Sequence, residues 1–134
     1  MTIRIRHKCL VRVFEAADQK DILFAPDDAG AEEVIDNFNR SVSGRFAVAI
    51  AGSEALSLRD VDDCRGIFIR AESDFELQIN NSATWLVCRR GDTKTGRKVR
   101  VFLEAVLTSV NIRPISGATV ALEGVWCAFG DPAA

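Results

Sequence analysis

Residues 66–80, GIFIRAESDFELQIN, alternate apolar and polar positions twice over. Ile67 and Ile69 alternate with Phe68 and Arg70, then Phe75, Leu77 and Ile79 alternate with Glu76, Gln78 and Asn80. Successive side chains of a strand leave opposite faces of the pleat, so a half-buried strand requires this period of two. Ala71-Glu72-Ser73-Asp74 between the runs is polar and short enough for a turn. The stretch predicts a β-hairpin whose apolar face needs a second layer. It carries no chemistry of its own.

The same period recurs along the chain. Ile3, Ile5, His7, Cys9, Val11 and Val13 share one parity, and Arg4, Arg6, Lys8 and Arg12 hold the other. That predicts a long strand, or two meeting near His7-Lys8, with a basic row suited to a sheet edge. Residues 15–29 are acidic and read as loop around a short run at 22–24. Ala31, Val34, Ile35 and Phe38 fall at helical spacing behind Asp27 or Asp28 as a cap, which predicts one short helix at 30–38. The competing reading of that segment is an irregular strand running on into 39–42. Phe46, Val48 and Ile50 alternate, Leu56 and Leu58 form a short run, and residues 84–89, apolar on both faces, read as a central strand.

Two phase changes stand out. In residues 99–112 the apolar set moves from odd to even positions after Ala105, as an inserted residue produces. In 120–129 it moves from even to odd at Gly124, which predicts a second bulge or bend there. Eight to ten short strands with regular turn signals indicate an antiparallel two-sheet β-sandwich, jelly-roll-like, with at most one short helix near 30–38. The expectation is one domain over 1–134, with an acidic loop-rich segment at 15–36 and a tail at 131–134.

With 48% apolar residues in 134, a full core is available without staples. Cys9, Cys64, Cys88 and Cys127 lie far apart without metal-ligand spacing, so reduced core thiols are expected. The opening MTIRIRHKCL is broken by charge and predicts no signal peptide, and no apolar run approaches membrane-spanning length. A soluble protein in a reducing cytosol is the expectation.

No catalytic, cofactor or metal site is predicted. His7, the only histidine, has Cys9 beside it on the same face and no third residue to orient a pair. Asp60, Asp62 and Asp63, like Asp27 and Asp28, lie in loop segments where carboxylates are solvated, without the spacing of a calcium loop. The basic run RRGDTKTGRKVR has no interleaved aromatic residue, and the chain's pI is about 5.4, so nucleic acid is not favoured. The run lacks P-loop order. Its Arg-Gly-Asp tripeptide is too short to be informative.

Charge is segregated. Residues 15–36 hold eight acids against Lys20 alone, between a basic start and a basic run at 89–100. Arg4, Arg6, Lys8, Arg12, Arg89, Arg90, Lys94, Arg97 and Lys98 are therefore the candidate partner interface, since patches of opposite sign can bring copies into register.

The run from Leu56-Ser57-Leu58-Arg59-Asp60-Val61 through Cys64 and on to Asn80 resembles small virion proteins of tailed bacteriophages, and residues 106–112 and Gly130-Asp131 fit that type. The likeness covers about residues 42–131. It implies a small β-sandwich or jelly roll that assembles on capsids, necks or tails, without cofactor or reaction. A capsid cement or decoration protein is the first expectation, a homotrimer docked on the major capsid protein, made in the host cytoplasm and carried in the virion. A neck, tail or baseplate component is the alternative. The other is a ligand- or carbohydrate-binding β-sandwich, disfavoured because Trp85 and Trp126 both sit in apolar runs. A jelly-roll metalloenzyme would want more than one histidine.

Overall fold

The computed structural model describes residues 3–8, 13–15, 20–24, 32–38, 40–58, 61, 63–90 and 98–131. The chain forms two compact units, Thr2–Phe38 and Asn39–Ala134. All strands of the sandwich lie in the second, where the sequence reading had run one domain over 1–134.

The first unit contains β1 (Ile3–Lys8), β2 (Val13–Glu15), β3 (Lys20–Phe24) and β4 (Glu32–Phe38). β1 pairs with β4, and β2 with β3, both antiparallel. The helix expected at 30–38 is a strand instead. The register sets Ile5 opposite Ile35, Arg6 opposite Val34 and Lys8 opposite Glu32. Cross-strand pairing of apolar and opposite-charge residues has overridden a weak helical spacing. The 15–29 segment, expected mostly as loop, likewise contributes to β2 and β3.

The second unit contains β5 (Arg40–Val48), β6 (Glu54–Ala55), β7 (Asp63–Ala71), β8 (Phe75–Ile79), β9 (Leu86–Cys88), β10 (Val99–Leu107), β11 (Val110–Pro114) and β12 (Leu122–Asp131). They form two four-stranded antiparallel sheets, ordered β10-β7-β12-β5 and β6-β11-β8-β9. Counted along the chain from β5, these orders read 6-3-8-1 and 2-7-4-5. That is the strand arrangement of a jelly roll, an eight-stranded architecture of two Greek keys. No helix occurs among the described residues.

The predicted hairpin at 66–80 is not one. β7 is an inner strand of the first sheet and β8 an inner strand of the second, so residues 72–74 carry the chain across the sandwich. Ala71 and Phe75 are both fully buried. The four residue steps between them reach about 13 Å at most, enough for the roughly 10 Å between packed sheets. Period-two alternation is identical for a hairpin and for such an arch. What decides is competition for edges: β7 pairs with β10 and β12, and β8 with β11 and β9.

Other readings need the same correction. The register of β10 on β7 does shift between Glu104 and Leu107, but the inward positions of β10 stay odd through Leu107 and leave Val106 exposed. The chain then also changes sheets at Thr108-Ser109, entering β11. At Gly124 the register of β12 on β5 runs on unbroken, and the shift against β7 lies between Phe129 and Gly130. Residues 84–89 yield only β9, a three-residue edge strand with Leu86 and Val87 exposed. β6 ends before Leu56, and Ile50 lies beyond β5 in a turn, exposed. Residues 132–134 of the expected tail lie outside the described residues.

Inside the sandwich, Ile67, Ile69, Trp126 and Leu122 of one sheet meet Phe75, Leu77 and Ile112 of the other in a single core. No polar or charged residue is buried among the described residues. Each large aliphatic or aromatic side chain contributes about 1.5–3 kcal/mol by leaving water. Gly124 lets two strands and a ring meet: a Cβ there runs into the carbonyl of Arg70 and the Phe46 ring.

Asn80 fastens the two sheets at one end. It sits at φ 53° in a turn whose next residue, Asn81, has φ 55°. Ser82 N–H donates to Ile79 C=O at 3.0 Å, closing a tight turn of the kind asparagine tolerates. The Asn80 side-chain amide donates to Val106 C=O at 2.9 Å, and its oxygen accepts from Thr108 N–H at 2.7 Å. The β10–β11 crossing is thus held by the β8 turn.

Two outcomes are expected in denaturant unfolding. Asn80→Ala loses these hydrogen bonds and strains a positive φ, lowering stability by about 1–3 kcal/mol. Gly124→Ala costs at least as much. A shift of under a few tenths of a kcal/mol in either would contradict the packing described.

Candidate docking surface

Of the basic residues named from sequence, Arg89, Arg90 and Lys98 are engaged within the chain. Arg4, Arg6 and Lys8 lie on β1 against the acidic strand β4. Arg12, Lys94 and Arg97 lie outside the described residues. Arg89 and Arg90 both approach the Asp74 carboxylate, at 3.8 and 3.9 Å, and Arg90 N–H donates to it at 3.0 Å. Lys98 pairs with Glu72 at 2.7 Å. The arch between β7 and β8 therefore supplies carboxylates to residues on both sides of positions 91–97, and these cations are matched locally.

A different set of arginines is not. On the outward face of the β10-β7-β12-β5 sheet, register aligns Arg100, Arg70, Val125 and Arg45 in one row. The three arginines are exposed. None has a hydrogen-bond or ion-pair partner among the described residues. Arg100 and Arg70 stand directly opposite each other, an arrangement that costs stability because like charges face across one strand pair.

The adjoining row is Phe102, Phe68, Cys127 and Ser43, and the next contains Phe129 opposite Gly66. Phe129 is only 3% exposed although it points away from the core. Its ring lies over Gly66, where a Cβ would run into it. Phe102 stacks beside it, ring centroids 6.3 Å apart. Phe102 and Val106 remain exposed along the edge strand. The supposed phase change at Gly124 is now explained: Val125, Cys127 and Phe129 are the apolar outward residues of a strand whose inward residues are apolar too. Doubly apolar alternation in β12, with Phe68 and Arg70 on the even positions of β7, was the available signal for this face.

The outward face of the other sheet is self-satisfied. Asn111 donates to Gln78 at 2.8 Å, and Arg113 pairs with Glu76 at 2.5 Å. The Arg113 guanidinium also lies 3.9 Å above the Trp85 ring, a cation–π contact. Trp85, expected among core residues, thus sits at the surface with one face covered, while Trp126 is buried. An open depression of about 270 Å³ lies beside the Arg113–Glu76 pair, lined also by Ile50, Gly52 and Ile115 among others.

Of the acidic clusters, Asp27, Asp28, Asp60 and Asp62 lie outside the described residues. Asp63 is held by Arg65, whose hydrogen bond lowers its pKa. His7 lies on β1 opposite Glu33, and Cys9 is outside the described residues. Cys64 and Cys88 are buried free thiols and Cys127 a half-buried one. Of the cysteines expected as core thiols, Cys64 is the most buried among the described residues. The register shift beside it, where Cys64 meets Gly130 and Gly66 meets Phe129, turns it inward.

Comparison of the chain with protein-family profiles, characterised proteins and solved structures finds no match. No helix among the described residues is long and apolar enough to cross a membrane.

Burial pushes the Cys64, Cys88 and Cys127 thiols above their ordinary value of 9.0. The neutral thiol is favoured in the folded state, so the stability this contributes is present below about pH 9 and is lost as pH rises through the folded values. The denaturant midpoint should therefore fall as pH rises above about 8.5, the ordinary range of an unfolded thiol. Cys64→Ala should flatten that fall; an unchanged slope would contradict the assignment.

Proposed function

We propose that this protein is a non-enzymatic structural component of a tailed-phage virion. Within that class a capsid cement or decoration protein is favoured, docking at junctions of the major capsid protein. The observation that carries the reading is the pairing of jelly-roll strand order with an outward sheet face bearing unmatched arginines beside exposed aromatic surface. Jelly rolls serve viral shells, lectins and cupins alike, so fold alone names no function. The face narrows the choice. An exposed cationic and apolar surface is built for contact with another macromolecule. The described interior holds aliphatic, aromatic and thiol groups only.

A homotrimer made in the host cytoplasm and carried in the virion agrees with the resemblance of residues 42–131 to small virion proteins. A neck, tail or baseplate position uses the same surface. A carbohydrate-binding module is the weaker reading, because Arg113 occupies the face of Trp85 on which a sugar would stack.

Mass spectrometry of particles purified from the genome encoding this chain tests the proposal. The chain is expected in a fixed ratio to the shell subunit, and Arg70→Glu with Arg100→Glu should reduce its occupancy by about tenfold or more. Its absence from purified particles would overturn the reading.

A further inference from the structure

We propose that two copies of this chain pair through the outer edge of β5, antiparallel and centred on Ser43, so that their β10-β7-β12-β5 sheets join into one. The inference goes beyond the docking reading above and rests on a strand edge, not on the arginine row.

A strand with a single neighbour leaves a row of N–H and C=O groups open along its other side. Sheets that stay separate blunt such edges by shortness, bulges, proline or lysine. In the second unit β10, β5, β6 and β9 each end a sheet. β6 has two residues and β9 three. β10 is long, but its register on β7 shifts between Glu104 and Leu107. β5 has none of these devices. Its nine residues, RSVSGRFAV, include neither proline nor lysine, and its register on β12 runs unbroken from Arg40 to Val48. Among the described residues it pairs with β12 alone. Ser41, Ser43, Arg45 and Ala47 on its outward side are exposed, and three of these four are small, so another strand can approach to the usual spacing of about 4.8 Å.

The residues of β5 select a second β5 and fix its register. Phe46 and Val48 are buried toward the core, and residues opposite each other in a ladder share a face. Outward positions must therefore meet outward positions, which restricts two-fold pairings to those centred on a residue. Centring on Arg45 sets guanidinium against guanidinium, and centring on Gly44 leaves the two guanidinium groups on adjacent diagonals. Centring on Val42 confines the ladder to residues 40–44, whereas centring on Ser43 extends it over 40–46. In that register Ser43 meets its own counterpart, Val42 meets Gly44, and Ser41 meets Arg45. The two copies of Arg45 then lie about 13 Å apart along the strands, beyond the screening length of about 10 Å at ~0.1 M salt. Arg45 has no partner among the described residues; here it gains the hydroxyl of the second copy's Ser41.

The two-fold axis stands normal to the joined sheet, so both outward faces look the same way. Two rows of Arg45, Arg70 and Arg100 then share one surface, and docking through it becomes bivalent. Where three copies also meet about a three-fold axis, the same contact joins two trimers into a six-chain particle of dihedral symmetry.

Light scattering on the full chain reads the contact. The mass at high concentration should be an even multiple of 14.7 kDa, two chains or six. Ser43→Lys sets two ammonium groups against each other across the axis; it should halve that mass, or raise the dissociation constant about tenfold or more, while circular dichroism keeps the strand signature. A second variant reads the register itself. Because Cys127 lies opposite Ser43 within one chain, Ser43→Cys is made together with Cys127→Ser. Opposed residues of a ladder have Cα atoms about 4.5–5.5 Å apart, within disulfide reach, so mild oxidation should yield a reducible two-chain species. Ala47→Cys with Cys127→Ser should not. A monomer or an odd number of chains at every concentration overturns the proposal, as does a mass that Ser43→Lys leaves unchanged or a failure of the Ser43→Cys variant to cross-link. Arg70→Glu with Arg100→Glu lies strands away from this edge and should leave the mass unaltered. Failure of the docking reading and failure of this contact are thereby told apart.

Discussion

Two residues four positions apart, Ala71 and Phe75, are both sealed from water in opposite sheets. The rest of the sandwich depends on that packing of two strand layers through one apolar core. Of the connections from β5 to β12, only the one between β8 and β9 stays within a sheet. Each other connection must cross the layer spacing, and a short polar link such as Glu72-Ser73-Asp74 does so by leaving its carboxylates at the surface. Those carboxylates then hold Arg89, Arg90 and Lys98. One crossing thus both joins the sheets and neutralises the described ends of a basic run.

The period-two pattern made the β class and the two-layer requirement legible, and the inward parity of residues 67–69, 75–79 and 99–103 was right, whereas Val106, read as inward, is exposed. Partner choice was not legible. Alternation in 66–80 says which side chains are buried and nothing about whether two successive strands share a sheet. Residues 30–38 were misread because apolar positions 31, 34, 35 and 38 satisfy a helical stripe, while the pairing of β4 with β1 is a fact about another segment. The Gly124 phase change was misread for a related reason: apolar residues on both parities of β12 arise from two apolar faces, and no inserted residue is needed.

The candidate surface followed the same division. Charge counting found runs of basic residues close in sequence, at 4–12 and 89–98. Those described in side-chain detail, Arg89, Arg90 and Lys98, are answered by nearby acids. The unmatched arginines, Arg45, Arg70 and Arg100, come from three strands and are neighbours only through register. A window along the sequence sees each as an isolated charge. The cost of opposing Arg70 and Arg100 becomes visible only once the strands are aligned.

The adjacency of β5 and β12 has a consequence for synthesis. Arg40 meets Gly130 and Val48 meets Leu122, so the first strand of the sandwich waits for the last. Until β12 has left the ribosome, β7 lacks one neighbour and β5 has none. Such pairing across most of the domain closes a long loop before it gains contacts, and that slows folding. The sandwich can therefore assemble only once β12 has emerged, and the nascent chain must stay unaggregated with its strand edges open until then.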